Sequence, residues 1–453
     1  MKTGGNDPVP SRTGEVVHLD DVGMSPFLVK VTAFSSGGTF LEGYVLGVIG
    51  VALVQLIPVL GIDAHWSGMI GIASIVGIFI GALIGGYVTD MIGRKTMFIL
   101  DVSAIAVLSL LCMFVTSPLQ LVILRLLIGV AIGADYPIAT SMIAEFSPRR
   151  YRATTMGVLA AVWYVGANVA YIVGFFLMEL DGGWRWMLGS SIVPCVIILV
   201  GRLSIPESPR WLLSKGRSDE AHAIVHDLFG ADVTLEAEVV ATKTEFRKIF
   251  QRSYLWRILF IGIIWLAQAI PMFAIYTFGP QIIGAFGMGE GRGALIGEII
   301  IGTFFMLGTI PAMILAEKWG RRPLIIVCFA AMTITLTALG LVPSPTIIFV
   351  ISSFAVYALF SGGPGNLEWL YPNELFPTDI RASAMGVATA LSRVGTVVSI
   401  YLLPGFMATH GTGATMLAGA AISLLGFLVS WAWAPETKGL SLAVTGAPEF
   451  KGR

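Results

Sequence analysis

Two short stretches decide how this chain is built, E-F-S-P-R-R-Y-R at 145–152 and E-L-F-P-T-D-I-R at 374–381. Glu145, Pro148 and Arg152 of the first recur as Glu374, Pro377 and Arg381 of the second, each 229 residues later. Pro206-Glu207-Ser208 recurs as Pro435-Glu436-Thr437 at the same 229, and Asp90 with Gly93-Arg94-Lys95 recurs as Glu317 with Gly320-Arg321-Arg322 at 227. Spacing this regular marks an internal duplication. Each repeated motif stands at the end of a long apolar run, so the duplicated unit is a set of apolar helices with charged ends.

The apolar runs cover approximately 31–57, 67–89, 97–116, 119–144, 153–178, 185–205, 255–283, 294–316, 323–342, 345–370, 382–408 and 413–433. A helical bilayer crossing takes about 20 residues, so these make twelve crossings, six in each unit. Of 453 residues 56% are hydrophobic and 12% charged, with a mean hydropathy of +0.83, which excludes a soluble globular domain. The expected fold is an all-α membrane protein of twelve transmembrane helices forming two parallel six-helix repeats. An even number of crossings starts and ends each unit on one side, and relates the two by an axis along the membrane normal.

This divides the chain into a cytosolic tail over 1–27, a first bundle over 28–205, a cytosolic linker with surface helices over 206–253, a second bundle over 254–435 and a tail over 436–453. With both termini cytosolic, the inner loops, tails and helix edges hold 24 Lys and Arg, Arg202 and Arg257 among them, against Arg185 and Arg292 outside. That asymmetry sets orientation, and predicts a multi-pass protein of the cytoplasmic membrane. The repeated acids and bases, Asp90, Arg94, Glu145, Arg152, Glu207, Glu317, Arg321, Glu374, Arg381 and Glu436, sit where helix ends from neighbouring spans meet, and are expected to hold an inner gate. Arg and Lys at such positions also serve simply to fix topology.

Net charge is zero, which leaves no basic surplus for nucleic acid. There is no zinc-ligand spacing, dinucleotide glycine fingerprint or glycine-lysine phosphate loop, so no cofactor is expected and no nucleotide drives the cycle. Cys112, Cys195 and Cys328 lie far apart in apolar runs and read as small buried hydrophobes. His18, His65, His222, His226 and His410 fall in tails or loops, so nothing joins the mid-membrane acids as an enzyme's active site would require.

G-Y-V-T-D-M-I-G-R-K at 86–95 resembles the signature that the major facilitator superfamily carries between its second and third helices, with Met91 where Arg is usual. P-E-S-P-R-W-L-L at 206–213, P-E-T-K-G at 435–439, and Arg125 followed by Gly129 and Gly133 resemble the sugar-porter branch. G-A-D-Y-P at 133–137 and G-P-G-N-L-E-W-L-Y-P-N-E-L-F-P at 363–377 are similar to the phosphate and organic-metabolite proton symporters. The resemblance runs from about residue 30 to 440. It implies the twelve-helix fold, and proton symport with a proton-binding role for Asp135. It departs from the sugar porters at Val45, where they carry an acid, and in the seventh helix, where only Gln268 and Tyr276 of their polar pattern survive. Residues 157–174 lack the proline of the drug-efflux antiporters.

An ionisable side chain at bilayer depth costs several kcal/mol, about 2.5–3.5 on insertion scales, so each is a functional candidate. Glu42, Asp135 and Arg393 lie near mid-helix and are expected to share a cavity between the halves, with Arg125 nearer the outer end. Desolvation and a neighbouring cation pull a carboxyl in opposite directions, so Glu42 and Asp135 can carry a proton as the cavity opens to alternate sides, with Arg125 in the coupling. Arg393 offers a planar fork suited to a carboxylate or phosphate, or else an internal salt bridge with Glu42, Asp135 or Glu368. Tyr44, Tyr164, Asn168, Gln268, Tyr276, Gln281, Asn366, Glu368 and Trp369 complete the expected lining, and breaks at Pro271, Gly279-Pro280 and Gly362-Gly363-Pro364-Gly365 are expected to unwind helices 7 and 10.

The expected function is a proton-coupled symporter that imports a small polar metabolite, an organic anion, sugar or sugar acid. Its partners are then the solute, protons and the bilayer, and it works as a monomer. A uniporter or exporter of the same fold, or a nutrient receptor that binds without transporting, would present the same pattern.

Overall fold

The first helix starts where the sequence places a capping serine before a proline. Ser25 Oγ accepts from Leu28 N at 3.1 Å, with Pro26 in the first turn, an arrangement worth about 1 kcal/mol. Asp63 does the same for Trp66 N at 2.8 Å and Thr346 for Phe349 N at 3.3 Å. The computed structural model describes residues 17–18, 25–146, 152–230, 233–234, 250–288, 292–377, 380–440 and 442–450.

The first span is α1 (Pro26–Ser35) continued by α2 (Gly37–Leu60). Then follow α3 (Ala64–Ile92), α4 (Arg94–Cys112), α5 (Pro118–Phe146), α6 (Arg152–Leu177), and a sixth span made of α7 (Gly183–Gly189) and α8 (Ile192–Leu203). Two short helices, α9 (Pro209–Ser214) and α10 (Ser218–Phe229), form the linker, and Val17–His18 pairs in parallel with Val233–Thr234. The second unit comprises α11 (Arg252–Ile283), α12 (Arg292–Lys318), α13 (Arg321–Leu341), α14 (Ile347–Leu375) and α15 (Arg381–Trp433), with α16 (Leu442–Thr445) after it. Among the described residues ten helical segments are long and apolar enough to cross a membrane. One of them, Ala384–Trp433, is two spans joined through Gly411, whose φ of 81° breaks the helix, and Ala161–Leu177 supplies one more crossing. The twelve expected crossings are thereby accounted for.

Backbones in lipid approach closely only through small residues, and α3 and α5 do so along a ladder. Gly77 and Gly81 face the Leu126 and Val130 carbonyls, while Gly129 and Gly133 face those of Ser74 and Ile78. Helices 7 and 10 are less broken than their sequences imply. The α11 backbone leaves helical geometry only at Phe278 (φ −126°, ψ 15°), while α14 runs unbroken through Gly362–Gly365. Gly362 and Gly363 serve close contact instead, against Gly308 and Cys328.

The duplication survives in three dimensions. Gly93 and Gly320 have φ of 105° and 104° and precede α4 and α13. Glu207 accepts from Arg94 N at 3.0 Å and Lys95 N at 3.2 Å, and Glu436 from Arg321 N at 3.1 Å and Arg322 N at 3.2 Å. Each carboxylate thus sits on a helix N-terminus, where backbone donors and the helix dipole favour it. A Cβ at Gly93 or Gly320 would strike that carboxylate.

The glycine ladder predicts the cost of filling it. Gly81→Val or Gly129→Val drives a side chain into a neighbouring main-chain carbonyl, so at least about 1–3 kcal/mol should be lost, read as a lower thermal-unfolding midpoint in detergent. Gly386→Ala meets nothing within 4 Å and should leave the midpoint unchanged or raise it.

Candidate functional site

The two halves meet along α2 with α11, α3 with α15, and α6 with α12. Tyr164, Asn168 and Tyr171 share one face of α6 at spacings of four and three, and Gln268, Met272 and Tyr276 share one face of α11. Across the seam Tyr164 and Tyr276 ring centroids are 6.4 Å apart, Tyr164 stacks on Phe305 at 6.0 Å, and Trp163 meets Tyr276 edge-on at 5.0 Å. The Tyr164 hydroxyl donates to Met272 Sδ at 3.7 Å. Gln268 donates to Ser361 Oγ at 3.2 Å, and Gly365 of α14 is open toward both Gln268 and Tyr164. Asn366 donates to the Thr309 carbonyl at 2.8 Å. Arg393 of α15 is half-buried with its guanidinium 5.2 Å above the Phe273 ring, and its charge bears on the buried Glu368 carboxyl. Among the described residues no carboxylate is in salt-bridge contact with Arg393. Tyr276 Oη, Glu368 Oε1 and Asn168 Oδ1 are buried without a hydrogen-bond partner. Orphaned polar atoms are uncommon in a native interior, and here they gather at one seam.

Of the expected lining residues, Tyr164, Gln268, Tyr276, Glu368 and Arg393 lie near one another at the seam, Asn168 reaches across it to Thr303, and Asn366 bonds Thr309 within the second half. Others are elsewhere. Tyr44 turns into the first half, 2.6 Å from Ser190 Oγ. Arg125 is also inside that half, donating to the Ile70 carbonyl at 3.1 Å and the Val45 carbonyl at 3.3 Å; it closes backbone acceptors rather than pairing with an acid. Asp135 does not share a cavity with Arg393, because Arg202 of α8 holds it at 2.8 Å within the first half. Glu42 is buried in α2 at 1% exposure. Gln281 donates to the Gly50 carbonyl at 3.3 Å, and Trp369 is 41% exposed.

Among the described side chains at the helix ends, Glu207, Arg321, Glu374 and Glu436 contact groups of their own halves. Besides the two capping glutamates, Arg321 pairs with Glu374 at 2.7 Å, both in the second half. Glu317 is exposed. The side chains of Asp90, Glu145, Arg152 and Arg381 lie outside the described residues. The described contacts stiffen each bundle's end.

Sequence reasoning missed four buried charges. Arg202 and Arg257, counted as linker edges, are both fully buried, and Arg257 donates to the carbonyls of Leu375, Thr445, Ala447 and Phe450. Asp101 lies inside the third apolar run and Glu298 inside the eighth, where their charge alone was a signal. Glu298 neighbours the Tyr171 hydroxyl across the seam and lies against Gly279, beside the break at Phe278.

The described bonds between the halves lie from mid-membrane toward the side opposite the linker. Tyr171 donates to the Tyr276 carbonyl at 3.0 Å, Asn168 to Thr303 at 3.2 Å, and His65 bonds Tyr401 at 2.8 Å. Arg292 meets Glu179 at 2.6 Å, with side chains 41% and 63% exposed. An ion pair so exposed contributes about 0–1 kcal/mol, so glycine packing is what closes this side. Gly50 lies against the Tyr276 and Thr277 carbonyls, Gly68 against that of Tyr401, and Gly302 against Asn168.

Three comparisons bear on this site. The family model described as "Sugar (and other) transporter" matches residues 30–445. YaaU of Escherichia coli K12, a metabolite transport protein by name, is 53% identical over 436 residues, covering 96% of this chain and 98% of that protein. The inner membrane metabolite transport protein YgcS of the same organism is 38% identical over 436 residues, covering 95% and 96%. The partially occluded inward-open structure of the E. coli xylose transporter XylE superposes with a TM-score of 0.77 at 21% identity, covering 92% of this chain and all of that one. XylE is elsewhere described as a proton:xylose symporter.

Opening the side opposite the linker should follow from Gly50→Val, which forces a side chain into the Tyr276 and Thr277 carbonyls of the partner half. Labelling of an Asn168→Cys reporter by a membrane-impermeant maleimide from that side should rise several-fold in this background, and barely change with Arg292→Ala.

Proposed function

We propose that this chain, which belongs to the sugar (and other) transporter family, carries a polyhydroxylated organic anion of the sugar-acid type together with protons. That it is a membrane transporter of a sugar or related metabolite follows from the family; the anion and the proton are the further step. The observation that carries the anion is Arg393. Its guanidinium stays charged at any physiological pH, and is half-buried over Phe273 without a carboxylate in contact among the described residues. Gln268, Asn366 and Tyr276 provide the hydroxyl-binding groups, and Glu368 a second acceptor. A bound carboxylate would take the guanidinium fork while hydroxyls reach the amides.

Proton coupling draws support from the buried acids. Glu42 is one turn beyond Gly38, which lies against Asp135, so one helix carries one acid and covers the other. Rocking of the halves changes the hydration of both, which is how a proton is taken up on one side and released on the other. That XylE is a proton:xylose symporter supports coupling, and favours as a second reading a neutral sugar in the same seam. Under this proposal the termini and linker face the cytosol, as the basic residues favour, in the inner membrane and as a monomer.

Proteoliposomes test both parts. A sugar acid should accumulate when an inward proton gradient is imposed, and Glu42→Gln should exchange solute across the membrane yet fail to concentrate it. Arg393→Gln should raise KM for the acid at least about tenfold, since a charged hydrogen bond contributes about 1.5–3 kcal/mol, while leaving any neutral-sugar exchange nearly intact. Accumulation of a neutral sugar alone, insensitive to Arg393→Gln, would establish the second reading.

A further inference from the structure

The closed side of the seam holds an acid that the solute site does not use. Glu298 of α12 is 1% exposed, and its Oε1 has no hydrogen-bond partner. Among the described residues no cation is in salt-bridge contact with it. Arg292, six residues earlier and about 9 Å along the helix, is bonded to Glu179 instead. The carboxyl fills the space that a side chain at position 279 would take, since a Cβ on Gly279 would strike Glu298 Oε1 and Cδ. A break in α11 sets Gly279 there. Pro280 has no N–H for the carbonyl four residues back, that of Tyr276, and Phe278 leaves helical geometry beside it. The freed carbonyl takes its hydrogen bond from the other half, from the Tyr171 hydroxyl of α6 at 3.0 Å. One turn along α12 from Glu298, Gly302 lies against Asn168 of α6, which donates to Thr303 at 3.2 Å. The acid is thus shut between α6 of the first half and α11 and α12 of the second. The titratable groups that face it are Tyr171 and Tyr276, with Tyr357 of α14 against Phe305, two turns further along α12.

A carboxylate without a counter-charge is unfavourable in a seam closed to water, whereas the neutral acid is tolerated. When α6 draws away from α11 and α12, water reaches the carboxyl and the charged form becomes the favoured one. We infer that Glu298 is a proton-binding site in its own right, and that its protonation is the condition for closing the side opposite the linker. On opening, the carboxyl O–H bond breaks and water takes the proton. On closing, the carboxylate takes a proton from water, and Tyr171 returns to the Tyr276 carbonyl. The closed state then holds one proton more than the open one, so acid closes this side and base opens it. For a single proton the ratio of closed to open changes by up to about tenfold per pH unit. The device requires neither the anion nor the symport proposed above. His65, bonded to Tyr401 across the same side at 2.8 Å, is a second group whose titration would bear on closure, and its contribution is separable by substitution.

Double electron–electron resonance on the full chain in lipid nanodiscs tests the site without any solute. Spin labels at Asp181→Cys, between α6 and α7, and at His410→Cys, before Gly411, stand on exposed positions of the two halves on that side, and the native cysteines are buried. Every sample carries His65→Asn, which removes the other titratable contact. The longer-distance population should rise with pH when Glu298 is present, whereas Glu298→Gln, neutral throughout, should keep the shorter distance at every pH. Gly279→Ala, whose Cβ displaces the carboxyl, should open at a lower pH than its parent. Should Glu298→Gln fail to fold, Glu298→Asp serves, because its shorter side chain withdraws from Gly279 and must move the midpoint. A parent distribution that ignores pH, a pH response that Glu298→Gln leaves in place, or a midpoint that Glu298→Asp does not move overturns the inference. None of these results depends on whether proteoliposomes accumulate a solute, so the site and the symport reading fail separately.

Discussion

A charge that enters the bilayer must find its partners inside the protein, because lipid offers none. Much of this molecule's organisation answers to that constraint. Arg257 satisfies it with four backbone carbonyls that bring the C-terminal segment against α11 and α14. Arg125 satisfies it with carbonyls of two neighbouring helices, tying α5 to α2 and α3. Arg202 takes two carboxyls from α4 and α5 together with a carbonyl from α1. Each guanidinium is a staple between spans, and each would be costly to remove, since its loss leaves several acceptors unmatched.

The same constraint binds each half into a unit. Glu207 and Glu436 close equivalent helix ends inside their own bundles, and Arg321 with Glu374 adds a pair on the second. Fastened so, the bundles are stiff, and the adjustable part of the molecule is the seam. There the contact is made of glycines against carbonyls and of aromatic rings, with few strong polar ties. An interface of that kind separates at modest cost and re-forms in the same register, as alternating access requires.

Much of the architecture was legible in the sequence. The duplication offset, the twelve apolar runs and the linker helices all appear as a reading of period and polarity would have them, and Gly411 falls between the last two runs. What misled was position without packing. Arg202 looks like a cytosolic edge because it ends an apolar run, yet it lies inside the bundle. Asp135 looks like a seam residue because it is mid-helix, yet its face of α5 turns toward α8. Hydropathy gives depth in the bilayer but not the direction a side chain takes around its helix. A sequence likewise places the repeated acids and bases at helix ends without saying whether the neighbouring end belongs to the same half. Asp101 and Glu298 were visible as charges in apolar runs and needed only to be counted.

Under the proposed symport, charge balance at membrane depth connects the proton to the solute. Among the described residues five buried acids, Glu42, Asp101, Asp135, Glu298 and Glu368, stand against Arg202 and Arg393, with Arg125 and Arg257 already committed to carbonyls. Fully ionised, that set would be anionic before any solute arrived, and a bound carboxylate would add to the excess. Protons taken up by the acids remove it. A protein with this distribution favours an anion only in company with protons, whereas a neutral sugar would leave the balance as it was. The pairing of solute with proton then needs no dedicated wire between Arg393 and the first half. Under the proposed symport it follows from the electrostatic penalty of an uncompensated charge in a low-dielectric seam, which the anion raises and the proton relieves.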